Sequence, residues 1–329
     1  MTTYLIRRLL QTIPTLLGVT IITFLLIINA PGDPIDLFYF DPSIKAEDKE
    51  RLRKQLCLDR PGWQRYVFYM VGDWSGECPN RGIIFGDFGE SIASDRPVLE
   101  LYAEKMWPTL QLTTGAAILG TLIGLTLGVI SAIFRGRLPD NIIRFLSVVF
   151  DAVPSFYLGI LLIILFGVIW GILPLGGMVP IRSDEPVNLW VRIKHLILPT
   201  VVLGVGWIAV MSRYMRAETL EVLGQDYVRT AKSKGLTSFK VYFKHAARNA
   251  LIPIVTILGP AITALLGGSV VVERIFSWPG MGRMVLDALG ARDFPVVMAV
   301  TIISSLLVVA GNLLTDVLLV MVDPRVRLS

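Results

Sequence analysis

Few residues in this sequence are of a type, and at a spacing, that supports covalent or acid–base chemistry. There are two cysteines, Cys57 and Cys78, whose chemistry is a disulfide if they pair and two separately buried thiols if they do not. The two histidines, His195 and His245, are isolated, and no set of His, Cys and carboxylate residues has metal-site spacing. Nucleophile, base and orienting acid form no recognisable arrangement, and the phosphate-cradling pattern Gly-x-x-x-x-Gly-Lys-Ser/Thr is absent. The sequence therefore reads as a non-enzyme with no cofactor or metal site of its own, unable to hydrolyse ATP alone. What remains is charge in unusual company. Asp151 lies inside an apolar run with Pro154 just after it, and Asn312 and Asp316 share a helix face in another. The basic stretch DYVRTAKSKGL, residues 226–236, stands between two strongly apolar segments.

These residues must be positioned by membrane helices. At 329 residues, 53% hydrophobic and 17% charged, the chain is too apolar for an ordinary soluble or disordered protein. Its apolar residues gather in runs at 9–30, 109–134, 142–170, 196–215, 250–272 and 296–321. A hydrocarbon core needs about 20 residues of helix to cross it. The expected fold is thus all-α and polytopic, with six transmembrane helices. The first run, LLQTIPTLLGVTIITFLLIINA, follows Arg7 and Arg8 and exceeds the about 7–15 apolar residues of a cleaved leader, so 1–30 reads as a retained first span. Arg135, Arg137 and Arg144, the eight Lys and Arg residues of 213–248, and Arg325 and Arg327 all join Arg7 and Arg8 on one side if both termini are cytoplasmic.

The long segment 31–106 carries more Asp and Glu than Lys and Arg, as expected of an extracytoplasmic loop or cap region. Both cysteines lie in it, where an oxidising space permits a disulfide worth about 3 kcal/mol in the chain-entropy model. PGDP at 31–34 stops the first helix. SIKAEDKERLRKQL at 43–56, acidic early and basic late, is a short soluble helix matched to its dipole. GWQRYVFYMVGDW at 62–74 is aromatic enough to lie at the membrane interface, and IIFGDFGES at 83–91 is a glycine-rich turn back to the second span. Residues 107–329 form the five-helix core, with a cytoplasmic loop at 217–249. Gly115, Gly120, Gly124 and Gly128 predict a close helix–helix contact. Asp151, placed near the middle of the membrane, is either a pathway-lining group or a structural anion bonded to a neighbouring helix, and Pro154 predicts a kink at its level.

In the cytoplasmic loop, Leu220, Leu223, Tyr227 and Ala231 fall at helical spacing and make an apolar stripe. Gly235 interrupts it. Thr237 or Ser238 caps a second helix in which Phe239, Tyr242, Phe243 and Ala246 share a face. A basic, amphipathic helix–turn–helix suits anionic lipid, nucleic acid or a protein groove. No stacking platform supports nucleic acid, while the glycine hinge favours docking to a protein.

The loop resembles that of the membrane subunits of bacterial ATP-binding-cassette importers, whose pattern is Glu-Ala-Ala, three residues, Gly, and a later apolar residue and Pro. Arg229, Thr230 and Ala231 stand at the first three positions, Gly235 at the glycine and Pro253 at the proline. DYVRTAKSKGL with HAARNALIPIV is similar to the dipeptide and oligopeptide permease branch, as are PGDP, FGDFGES at 85–91, FSWPGMGR at 276–283 and DPR at 323–325. The resemblance covers nearly the whole chain. It implies a type I importer transmembrane domain in the bacterial inner membrane, with Tyr227, Arg229, Thr230, Ala231, Gly235 and Leu236 forming the ATPase-coupling loop. The implied partners are a second, similar permease subunit, two ATPase subunits that bind ATP and Mg, an extracytoplasmic substrate-binding protein, and membrane lipid. Phe276, Trp278, Pro279 and Gly280 would lie on the exported side near substrate delivery; read from the residues alone, Trp278 is an interfacial anchor. Asp151, Pro154 and Asn312 are the pathway candidates. Implied cargo is a di- or oligopeptide, with nickel chelates, glutathione and oligosaccharides as alternatives. An ion-coupled secondary transporter is the alternative from another class, and Asp151 with Pro154 is its one candidate site.

Overall fold

The computed structural model describes residues 2–31, 35, 46–73, 81–180, 188–237, 240–251, 253–254 and 269–322. Its labelled helices are α1 (Thr2–Asn29), α2 (Ala46–Gln55), α3 (Gly62–Val71), α4 (Val98–Ile133), α5 (Leu138–Ala152), α6 (Ser155–Leu162), α7 (Leu189–Leu223), α8 (Asp226–Ser233), α9 (Met281–Gly290) and α10 (Phe294–Val322). A π-helical stretch, Ile163–Ile169, continues α6, and another, Lys240–Ala246, follows α8. Among the described residues there is no strand, only an isolated bridge between Glu90 and Pro97. The protein is all-α.

Among the described residues, four helices are long and apolar enough to cross a membrane: α1 over Leu10–Asn29, α4, α7, and α10 over Phe294–Leu313. Among these residues a fifth crossing is available as the pair Leu138–Ala152 and Ser155–Ile169, bent by 100°. Most of the expected run 250–272 lies outside the described residues. The kink expected at Pro154 is instead a full corner. Val153 takes the extended conformation that a following proline imposes, φ −79° and ψ 121°, and Pro154 becomes the N-cap of α6. Asp151 is therefore at the C-terminal end of a short helix and not midway along a long one.

The helices outrun the hydropathy. α4 starts behind Pro97 and carries Glu100 in its first turn, where the dipole favours an anion. Arg96 pairs with Glu100 at 2.9 Å and Glu104 at 3.2 Å along that polar start. α7 begins at the Asn188 cap, whose Oδ1 accepts the Val191 N–H at 2.9 Å. It continues through good helix formers to Leu223.

The described chain divides into two compact units. The first comprises Met1–Trp107 and Met284–Val309. Phe24, Tyr69, Met298 and Ile302 form its core. The buried Tyr69 hydroxyl donates to Pro295 O at 3.0 Å, and the Ser91 hydroxyl donates to buried Asp293. Burial, then the charges of Asp293 and Asp87, push the Tyr69 phenol well above its ordinary range, so it remains a donor. Cys57 is not a free thiol and sits at a positive φ of 54°; Cys78 lies outside the described residues.

The second unit comprises Pro108–Arg283 and Ala310–Ser329. In it the glycine face of α4 meets α7. A Cβ at Gly124 would stand 2.6 Å from Met211 Cβ, and one at Gly128 2.6 Å from Met215 Cβ, so the backbones close only because both positions are bare.

Candidate coupling loop and pathway residues

The loop begins where α7 ends at Leu223, with Gly224 and Gln225 separating it from α8. That break resets the helical phase, so the apolar stripe expected through Tyr227 does not form. Val228, Ala231 and Val241 are the buried core instead, backed by Val222, Leu223 and Tyr242. Tyr227 is turned outward at 42% exposure, and its hydroxyl accepts from the Asn249 side chain at 2.8 Å. Ala231 packs inside and braces the loop, whereas Arg229, Thr230, Gly235 and Leu236 are exposed. The Arg229–Asp226 pair at 3.6 Å is fully at the surface and contributes little.

Gly235 has φ +74°, a conformation open to glycine and costly for other residues. Among the described residues other than its chain neighbours, none has an atom within 4 Å of where its Cβ would stand. The tip is thus braced from behind and empty in front. Phe239 lies outside the described residues, as do the side chains of Lys232 and His245.

α7 carries this loop and is joined to α5 by polar contacts. Arg216 makes a two-pronged pair with Asp140, Nε to Oδ1 at 2.8 Å and Nη2 to Oδ2 at 2.9 Å. Asp140 is in the first turn of α5 and also accepts from the Ser131 hydroxyl and the Gly136 N–H. Its reach back to a preceding N–H resembles a capping box. Next along the interface, the Ser147 and Ser212 hydroxyls are 3.0 Å apart. Beyond them Arg213 Nη1 lies 3.1 Å from Asp151 Oδ2, with side chains 44% and 48% exposed. Asp151 is therefore held by a neighbouring helix and still open on one side. Asn312 is half-buried in α10.

A further buried carboxylate, Glu273, escaped the sequence reading. Thr109 Oγ1 donates to its Oε1 at 2.8 Å and the Arg283 N–H to its Oε2 at 3.0 Å, while the Met281 N–H donates to the same Thr109 oxygen at 2.8 Å. FSWPGMGR is wrapped around this carboxylate. A Cβ at Gly280 would fall 2.5 Å from Glu273 Cδ and Thr109 Oγ1, so only glycine lets the chain pass. Trp278, 1% exposed, donates its indole N–H to Pro108 O at 2.8 Å. Its burial overturns the expected interfacial anchor. Phe276, Trp278 and Gly280 face inward and shape the loop, leaving Ser277 exposed and Pro279 half-buried at its surface.

Residues 124–328 match the family described as "Binding-protein-dependent transport system inner membrane component". The chain belongs to this family. The N-terminal part of such transport components matches residues 1–113. Full-length relatives agree with the assignment to an inner-membrane transport component. The oligopeptide transport system permease protein AppB of Bacillus subtilis is 43% identical over 99% of this chain and 100% of its own length. The dipeptide transport system permease protein DppB of Escherichia coli is 37% identical over 98% of each chain. The glutathione transport system permease protein GsiC of Escherichia coli is 39% identical over 99% of each. In fold, the transport component is similar to a chain of the inward-facing MetNI methionine ABC transporter, with TM-score 0.52 and 19% identity over 68% of this chain and 97% of that one. An amino acid transporter crystallised with histidines gives TM-score 0.51 and 17% identity over 67% and 94%. With several long apolar helices, this transport component is a multi-pass inner-membrane protein and not an enzyme.

Proposed function

We propose that the chain is one of two similar membrane subunits of a type I importer that carries di- or oligopeptides inward, with ATP and Mg bound by two separate ATPase subunits that grip the loop around Gly235. The observation that carries this reading is the loop tip. Gly235 holds a left-handed φ with open space before it, on a turn braced by Val228, Ala231 and Val241. A preformed protrusion of this kind loses little entropy when it enters a partner's groove. ATPase closure displaces the tip, α7 carries the displacement inward, and the Asp140–Arg216 pair passes it to α5. The corner at Asp151 and Pro154, with Asn312, lines the path that opens and closes. Only contact that differs between two states does this work.

Six spans with both termini cytoplasmic, and 31–106 exported, give this loop the inward side that docking requires. An extracytoplasmic binding protein then delivers cargo near the FSWPGMGR turn. The named relatives favour peptides, and glutathione is itself a tripeptide; nickel chelates and oligosaccharides are the alternative cargo. The purified complex in vesicles is expected to take up labelled dipeptide only with ATP and both ATPases present. Uptake without nucleotide would instead identify an ion-coupled secondary transporter.

Within the exported segment we assign Cys78, the one other cysteine of the chain, as the partner of Cys57. Non-reducing peptide mapping of native membranes should recover the two linked, and replacing either by serine should cost about 3 kcal/mol in that segment. Recovery of both as free thiols would end this assignment.

A further inference from the structure

Within the second unit, α5 and α7 share two ion pairs of opposite character. Asp140 and Arg216 meet in a two-pronged contact with the carboxylate 1% exposed. Arg213 stands about one helical turn before Arg216 on α7, and there a contact of 3.1 Å joins it to Asp151, with both side chains nearly half exposed. The first pair is locked by burial. The second is easily parted, because an exposed ion pair gains little over two hydrated charges.

Asp151 lies in the bent helix pair and Arg213 in α7, both of them segments apolar enough to cross a membrane. Hydrocarbon strongly penalises exposed charge, so ionisable groups in such segments face a water-filled cavity or a polar partner. Asp151 is also in the last turn of α5, directly before the corner at Val153 and Pro154. Beyond the corner, α6 and its π-helical continuation carry an open apolar groove of about 430 Å³, walled by Tyr157, Ile160, Leu161 and Ile164. The chain thus passes from a pair of opposite charges that opens readily to an apolar surface able to take side chains of many shapes.

We propose that Asp151 and Arg213 form a clamp for the two ends of a short peptide. The Asp151 carboxylate accepts from the peptide's terminal ammonium, and the Arg213 guanidinium donates to its terminal carboxylate in two-pronged fashion. The exchange replaces one ion pair by two at unchanged net charge. An extended dipeptide separates its charged ends by about 7 Å, which sets how far the contact must open. Both groups recognise what every dipeptide has in common, while the groove beyond the corner takes the side chains that differ. Weak binding suits a transit site, which must release what it admits. This inference rests on the reading of the chain as a peptide importer.

The test uses the purified complex in nanodiscs, without a binding protein. Saturation-transfer NMR measures binding of three probes at millimolar concentration: alanylalanine, its N-acetylated form and its C-terminal amide. The wild type is expected to hold the free dipeptide about fivefold more tightly than either blocked form, a difference of about 1 kcal/mol. Asp151→Asn should abolish the penalty of N-acetylation and keep that of amidation. Arg213→Gln should do the reverse, and Asp151→Glu should retain the preference for a free ammonium. A pair that only braces α5 against α7 would, on substitution, weaken all three probes alike; that pattern, or equal or absent binding of all three by the wild type, would overturn the clamp. ATP-driven uptake of alanylalanine in vesicles is measured in parallel. No uptake by the wild type would bring down the importer reading and the clamp together, whereas normal uptake with no discrimination among the three probes would bring down the clamp alone.

Discussion

Import by a Gly235→Trp variant is expected to fall about a hundredfold at normal abundance while ATP hydrolysis continues. Two effects separate here by magnitude. Any residue with a Cβ pays about 1–2 kcal/mol for the left-handed conformation, and Gly235→Ala would pay little more, since no described residue beyond its chain neighbours lies within 4 Å of the added atom. Folding and insertion tolerate that. Tryptophan adds a bulky ring in the space left for the partner, and a docking penalty of about 3 kcal/mol corresponds to roughly a hundredfold in occupancy. The measurement is ATP-driven uptake and ATPase rate side by side in vesicles, for alanine and tryptophan variants at matched abundance. Wild-type uptake by Gly235→Trp would remove the loop from the coupling path. Charge reversal at the exposed Lys234 should matter far less, because surface pairs contribute about 0–1 kcal/mol.

The largest loss of stability is expected from Asp140→Ala. Its carboxylate is 1% exposed and holds the Arg216 guanidinium together with the Ser131 hydroxyl and Gly136 N–H, so truncation leaves a largely buried cation without its counter-charge. Breaking one side of such a pair costs about 3–5 kcal/mol, whereas replacing both sides by apolar residues of similar size is often neutral. Thermal unfolding of the purified complex should therefore drop sharply for Asp140→Ala and for Arg216→Ala, and recover most of the way in Asp140→Leu with Arg216→Met. A double variant as unstable as either single one would show that the charges themselves are not the cause. If the recovered double variant also hydrolyses ATP normally yet transports poorly, the pair is acting as the link between α7 and α5.

Much of this architecture could be read from residue types, for a physical reason. Apolar runs mark where lipid must be, and the described spans fall on five of the expected runs. Helix ends were not legible in the same way, because the first turns of α4 and the last of α7 are polar and lie beyond the apolar stretch. Pro154 announced a deformation, but whether a helix kinks or turns a corner depends on what packs against it. In the loop, counting through Gly224 as if the helix were continuous put Tyr227 on one stripe with Leu220, Leu223 and Ala231, and the break there made Val228 the buried position while Tyr227 stays exposed. Glu273 stands beside Arg274, just past the apolar run 250–272. Its confinement depends on Thr109, far away in the chain, and no local pattern encodes that.

The corner between α5 and α6 has one more implication. Each end of a helix leaves carbonyl or amide groups that the helix cannot satisfy, and hydrocarbon offers them nothing. A right-angled bend inside a membrane-crossing pair therefore has to be wetted or covered by protein. The bilayer around this subunit cannot be continuous oil at that level: a thread of water, or the flank of a companion, must touch the backbone beside Asp151.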